Sequence, residues 1–348
     1  MRAAVMRGDK LVVDDVPDPV PTQNQLLVRT IACGICGSDL HFLKYAREMQ
    51  HLTEEVLGMG GALDLDKDIV MGHEFSAEVL EVGPDTQAGV KPGDAVVSVP
   101  VMITDLTNLQ IEPIGAYSNI YGGGYGELML LSSFMAMKVP DGTDSRHAAL
   151  TEPMAVGLHA VNKSGIKAGE AAVVLGAGPV GLAVISALSR MGVEPIVAAD
   201  FSPKRRELAI KIGAHEAVDP KSEPAIEAWR RLDGAKPLVI YEAVGVPGML
   251  AQAMKDAPPQ GRVLVVGACM ENDSLRPLVG LIKELEVRFA FGYDPMEFNQ
   301  CLQAISSGEI DVVPLITGEV GIDGVPGAFE ALGQPDDHCK ILVEPALG

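Results

Sequence analysis

Positive charge, aromatic rings, paired cysteines and long apolar runs are all scarce in this chain. Its 27 lysines and arginines face 47 aspartates and glutamates, a formal net charge of −20. Nucleic acid and anionic membrane are polyanions, so both are poor partners for such a surface. Aromatic residues make up 4% of the chain and offer no evident stacking platform for bases. The charge reads instead as a solvated exterior. No stretch approaches the ~18 uninterrupted apolar residues of a membrane span. The opening MRAAVMRGDKLVV has neither the apolar core nor the cleavage site of a secretory signal. Five scattered cysteines make no disulfide framework. A reducing cytoplasm is the expected location.

What is present is a large apolar fraction, 47% of 348 residues, enough for about two domains with sizeable cores. The stretch Val173 to Asp200 organises it. Val173, Val174 and Leu175 lead into Gly176, Gly178 and Gly181, with Pro179 and Val180 between the last two. Val180, Ala183, Ala187 and Met191 then recur at helical spacing. A second apolar run ends in Asp200, 19 positions after Gly181. This is the G-x-G-x-x-G pattern in strand–turn–helix–strand context with a following acid. The first glycine permits the tight turn, the second lets backbone approach a pyrophosphate, and the third lets helix pack on strand. Free N–H groups and the helix dipole attract phosphate. Asp200 would accept hydrogen bonds from the adenosine ribose.

Around this unit the chain reads as follows. Residues 1 to about 32 are β structure, with apolar runs Ala3–Met6 and Leu26–Ile31 and a proline-rich connection between them. Cys33 and Cys36 form a Cys-x-x-Cys without the second pair of a zinc knuckle or the βαβ unit of a redox pair. Residues 44–57 read as a helix with Tyr45, Met49, Leu52 and Val56 on one face, ended by Gly58, Gly60 and Gly61. It is either a small packing element or a wall over a cleft. Gly122 to Glu127 is a glycine-rich loop entering a strand, which is the wrong context for a phosphate cradle. Glu152-Pro153 opens a helix. Beyond Asp200, Ser202 and Pro203 start another helix ending near Gly213. Further apolar runs near Val218, at Leu238–Tyr241, Val263–Val266 and Val287–Phe291 bring the candidate strands to six, an α/β arrangement with an open, doubly wound parallel sheet. A helix near 296–307 and a strand Lys340–Val343 close the chain.

Several residues could ligate a metal: Cys36, His73, Glu74 and Glu152, with Asp39 beside the first. Each alone has a structural reading. A lone cysteine suits a core, a histidine after glycine suits a strand end, and a glutamate before proline suits a helix start.

Taken together, GICGSDLH, then GHE, then EPMAVGLHA, then LGAGPVGL with Asp200 resemble the zinc-dependent medium-chain alcohol dehydrogenases, most nearly the sorbitol, threonine and butanediol dehydrogenase branch. The motifs span essentially the whole chain in the family's order. The resemblance implies a GroES-like β domain over 1–153, completed by 294–348, and a Rossmann domain over 154–293. It implies one catalytic zinc per chain and NAD as cofactors. By position, Cys36 and His73 match zinc ligands. Glu152 matches the third, bound directly or through water. Glu74 matches a neighbouring carboxylate able to exchange onto the metal, and Asp39 the group that orients the zinc-binding histidine. Ser38 matches the hydroxyl that takes the alcohol proton, and His41 the outer member of the relay. Lys340 matches a basic position assigned to cofactor binding. Cys33 is expected to be structural. Homodimers or homotetramers are implied.

Some features depart from the family. Residues 100–121 lack the four cysteines of a second, structural zinc. The connection from Cys36 to His73 is long and apolar. Phe291-Gly292-Tyr293 lies where polyol-using relatives place a polar grip. These lean toward an apolar secondary alcohol or ketone as substrate. The alternative is a polyol, diol or amino-alcohol, and, from a different class, a non-catalytic dinucleotide-binding protein. Asp200 favours NAD over NADP, though Lys204, Arg205 and Arg206 could hold a 2′-phosphate.

Overall fold

The computed structural model describes residues 1–57, 63–115, 118–334 and 338–347. The first third is β-rich. Strand β1 (Arg2–Arg7) forms an antiparallel hairpin with β2 (Lys10–Asp15). Next come β3 (Gln25–Gly34), helix α1 (Gly37–Leu57), β4 (Ile69–Val70) and β5 (Glu74–Val82). Then follow β6 (Ala95–Ser98), β7 (Val101–Met102), β8 (Glu112–Pro113), β9 (Leu128–Ser132) and β10 (Ala136–Lys138). A short helix α2 (Ser145–Ala148) leads to α3 (Thr151–Ser164).

The middle of the chain alternates strand and helix. In order these are β11 (Ala171–Leu175), α4 (Pro179–Arg190), β12 (Ile196–Ala199), α5 (Pro203–Ile212), β13 (Glu216–Val218), α6 (Ala225–Asp233), β14 (Leu238–Glu242), α7 (Met249–Asp256), β15 (Arg262–Val265), α8 (Pro277–Lys283) and β16 (Glu286–Phe289). All six strands are parallel, in the order β13-β12-β11-β14-β15-β16. Apolar residues such as Val173 and Val174 can fill both faces because helices cover both sides. The order reverses beside β11, leaving a crevice at the carboxyl ends of β11 and β14.

The tail adds α9 (Pro295–Ser306), β17 (Ile316–Val320), α10 (Val325–Leu332) and β18 (Lys340–Val343). Strand β18 returns across the molecule to pair antiparallel with β3, Leu342 opposite Gly34. The seven-stranded sheet around β3 therefore joins strands of the first third to the two strands of the tail, in the order β10-β6-β5-β3-β18-β17 with β9 also on β3.

Two expectations shift. The helix expected at 44–57 begins at Gly37 and bends at Tyr45, where φ is −123°. The bend resets its phase. Phe42 and Ala46 are buried, whereas Leu52 and Val56, at the far end of the expected apolar face, are exposed. Its expected stop at Gly58, Gly60 and Gly61 lies outside the described residues. Strand β2 went unread because KLVVDD is short and half charged, and only pairing with β1 fixes it. Among the described residues, no helix is long and apolar enough to cross a membrane.

Candidate active site

The antiparallel register of β3 on β5 sets Gly34 opposite Glu74. Cys36 lies two residues beyond one strand end and His73 one residue before the other. Pairing alone therefore brings the two motifs side by side. Cys36, His73 and Glu74 present donor atoms within 4.8 Å of one another. The set offers sulfur, nitrogen and oxygen, the donors zinc takes.

Asp39 sits in the first turn of α1, fully buried. Its Oδ1 lies 3.2 Å from His73 Nδ1, and its Oδ2 accepts the Cys36 N–H at 3.0 Å. That leaves Nε2 as the ring nitrogen free for a metal, and Ser38 Oγ lies 3.3 Å from it. Burial opposes charge on His73. Asp39 and Cys36 outweigh that penalty and hold its pKa well above the ordinary value. The sulfur, nitrogen and oxygen donors that converge here fit a zinc ion.

Glu152 opens α3 and is buried. Burial, reinforced by Glu74, pushes its carboxyl up, and His73 works against the shift. Glu152 stands outside the tight group of Cys36, His73 and Glu74 and faces the hydroxyl of Tyr293 instead. Glu74 is tied down. Both its oxygens accept from Lys340 Nζ, at 2.7 and 2.6 Å, and the same ammonium donates to Ile35 O at 3.0 Å. Lys340, expected at the cofactor, has a side chain only 2% exposed and is the ion-pair partner of Glu74. The sequence could not reveal this because β18 is joined to β3 only by the fold.

His41 lies further along α1. Its Nδ1 is buried and has no hydrogen-bond partner among the described residues. Burial, with Lys44 nearby, lowers its pKa.

On the other side, Gly176 follows β11 with φ +90°, and a Cβ there would meet Val244 and Ala243. A Cβ on Gly181 would collide with the Gly176 carbonyl, which is what the tight helix–strand approach requires. Pro179 and Val180 begin α4, and Gly178 is its N-cap. Asp200 Oδ2 accepts the Ala177 N–H at 2.9 Å, and Oδ1 accepts the Ser202 N–H at 2.9 Å. Arg206 is spent on the carbonyls of Asp200 and Phe201, while Arg205 lies 3.9 Å from the Asp200 carboxylate.

Two hydroxyls were missed in the sequence. Tyr125 Oη donates to Asp39 Oδ2 at 2.7 Å. The glycines before it were the available signal. Tyr293 Oη is buried against Glu152. It belongs to the run taken as apolar. Phe291 is 99% exposed, whereas the buried Tyr293 hydroxyl sets a polar group beside Glu152.

Comparison with known proteins places this geometry. Residues 22–141 match the alcohol dehydrogenase GroES-like domain, and residues 179–307 match the zinc-binding dehydrogenase domain. (R,R)-butanediol dehydrogenase of Bacillus subtilis is 32% identical, the match covering 99% of this chain and all of that one. Human sorbitol dehydrogenase is 28% identical over 93% of this chain and 89% of its own. The crystal structure of the B. subtilis 2R,3R-butanediol dehydrogenase superposes with a TM-score of 0.82 over 99% of both chains. A putative zinc-binding dehydrogenase from Sinorhizobium meliloti bound to NADP, 26% identical, gives 0.83. The chain belongs to the zinc-dependent medium-chain alcohol dehydrogenase family. Within it, the chain falls in the branch of the sorbitol and butanediol dehydrogenases, and it is an enzyme acting on an alcohol group.

Proposed function

We propose that this enzyme interconverts a secondary alcohol and its ketone, with zinc and NAD as cofactors. The observation that carries the reading is the convergence of Cys36, His73 and Glu74, with Ser38 on His73, in a chain that also holds a dinucleotide turn. Cys36 and His73 would hold the metal. Glu152 would complete the set directly or through water, with Glu74 as the carboxylate able to exchange. When bound, zinc supplies Lewis acidity at the alcohol oxygen and nicotinamide accepts the hydride.

The chain's own residues supply the rest. Ser38 Oγ is positioned to take the alcohol proton. His41 carries it outward, since a half-buried imidazole held neutral can accept it. Asp39 fixes the His73 ring and its tautomer. Gly176, Gly178, Pro179, Val180 and Gly181 would cradle the pyrophosphate. The Asp200 carboxylate would repel a 2′-phosphate, which favours NAD over NADP. A purely structural protein would have no need of Cys36, Ser38, His41, His73 and Glu152 together.

A diol or polyol substrate is the second reading, favoured by Tyr293. Its buried hydroxyl beside Glu152 offers a polar wall to a second substrate hydroxyl. The named relatives act on butanediol and sorbitol. A screen of NADH formation over primary, secondary, diol and polyol substrates tests both. We expect secondary alcohols to outrank primary ones, and a further rise in kcat/KM on a vicinal secondary diol would favour the second reading. A preference for primary alcohols would contradict the reading.

The catalytic unit is taken as 1–153 with 294–348, and the dinucleotide unit as 154–293. The pairing of β18 with β3 supports this division. A cytoplasmic homo-oligomer, dimer or tetramer, is proposed. Among the described residues β16 is one of the two edge strands of the parallel sheet, and Leu281, Ile282, Phe289 and Phe291 around it are all well exposed. An unpaired edge flanked by apolar side chains suits a second copy of the chain.

A further inference from the structure

The loop Gly122 to Glu127 and the cysteine Cys33 have no part in the proposed chemistry, yet both press on the metal site from below. Backbone of the loop lies against the segment before His73. Gly124 donates its N–H to Gly72 O at 2.8 Å, and Tyr125 donates to Met71 O at 3.0 Å. Gly72 has φ +100°, and a Cβ there would meet the Tyr125 ring at 2.8 Å and Cys33 Sγ at 2.9 Å. Gly124 is equally closed in, by Cys33. The glycines let the two backbones touch, and Cys33 fills the remaining space with a small buried group. What this close approach delivers is Tyr125. Its side chain is fully buried and its ring meets Phe329 edge-on at 5.9 Å. Its hydroxyl reaches Asp39 Oδ2 at 2.7 Å, while Asp39 Oδ1 faces His73 Nδ1 at 3.2 Å.

We propose that Tyr125 is a positioning residue for the metal centre: its hydroxyl locks the Asp39 carboxylate in the orientation that presents His73 to zinc. The proposal rests on the reading of His73 as a zinc ligand. Asp39 has two anchors on one oxygen, the Cys36 N–H and the Tyr125 O–H. Without the second, the carboxylate is free to rotate about its last bond, and the imidazole loses its fixed partner. Groups one step behind a metal ligand commonly change metal affinity about 10–100-fold. Tyr125 lies one step further back, so an effect near the lower end is expected.

The test uses the zinc-loaded enzyme and reads zinc release to a chelator, with the visible spectrum of the cobalt-substituted protein alongside. Tyr125→Phe should release zinc about 10-fold faster and alter the cobalt bands. In an Asp39→Asn background the same change should have less than about 2-fold effect, because the carboxylate it acts through is gone. Phe329→Leu, which loosens the ring contact but keeps the hydroxyl, should lower the melting temperature and leave zinc release unchanged. Unchanged zinc release and spectrum in Tyr125→Phe would overturn the proposal. So would an effect undiminished by Asp39→Asn, or one matched by Phe329→Leu. A His73→Ala enzyme that keeps its zinc would sink the metal-site reading and the proposal with it. If His73→Ala loses zinc and Tyr125→Phe retains it normally, only the proposal fails.

Discussion

Asp200 has two roles at the residue scale. Its two oxygens already accept backbone N–H groups from Ala177 and Ser202, so it shapes the glycine turn before any cofactor arrives. On the proposed reading its charge would then favour NAD over NADP. Replacing it with alanine should narrow the preference for NAD over NADP by at least about tenfold, the scale of one lost charge contact, as read from the ratio of kcat/KM values. Arg205 is near enough to take over the phosphate. His41 gives a pH prediction. Its lowered pKa keeps the imidazole neutral, and so able to accept a proton, further down the pH scale than an ordinary histidine. At high pH, hydroxide can take the proton without help. The rate loss in His41→Ala should therefore be largest at low pH, about tenfold or more, and shrink as pH rises. A pH–rate profile parallel to that of the wild type would remove His41 from the relay. The sequence showed these residues because their motifs are local. It hid Tyr125, Tyr293 and the true partner of Lys340, because those contacts join segments far apart in the chain.

At the scale of elements, two helices hold the site's wall. Helix α3 begins with Glu152, and α9 starts just after Tyr293. Glu297 clamps them together. Its oxygens contact His159 Nδ1 and Asn162 Nδ2, both at 2.8 Å, and it also completes a capping box with Asp294. Glu297→Ala leaves these partners unsatisfied and strips the box, and should destabilise the fold by about 2–4 kcal/mol, measured by denaturant unfolding. The buried Glu74–Lys340 pair is a sharper case. Lys340→Met would strand a buried carboxylate beside Glu152 and should cost about 3–5 kcal/mol. The same unfolding measurement checks it, and a loss under about 1 kcal/mol would contradict the weight given to the pair. The helices and parallel strands were legible because their periodicity is strong: α5, α9 and all six strands of the sheet fall where the pattern puts them. Helix α1 was read short by seven residues at its start, 44 against Gly37, because the kink at Tyr45 breaks the pattern that defines a helix face.

The whole molecule joins a metal-ligating sheet to a dinucleotide sheet, with α3 running between them. The chain order of the motifs made this architecture readable. The return of β18 to the first third was implied by the family resemblance, which assigns 294–348 to the β domain, and its register on β3 was beyond the reach of the sequence. At this scale, metal analysis should give one zinc per chain, since residues 100–121 carry no cysteine. A reading of two would demand a second site. A charge at Phe289 or Phe291 should split the oligomer in sedimentation if the β16 edge is the interface. The central claim is that the sulfur–nitrogen–oxygen cluster and the glycine turn form one active centre. NADH formation from a secondary diol, followed in the zinc-loaded enzyme and in the same enzyme stripped by chelator, tests it most directly. Turnover should vanish with the metal and return when zinc is added back. Undiminished turnover in the stripped enzyme would contradict the account.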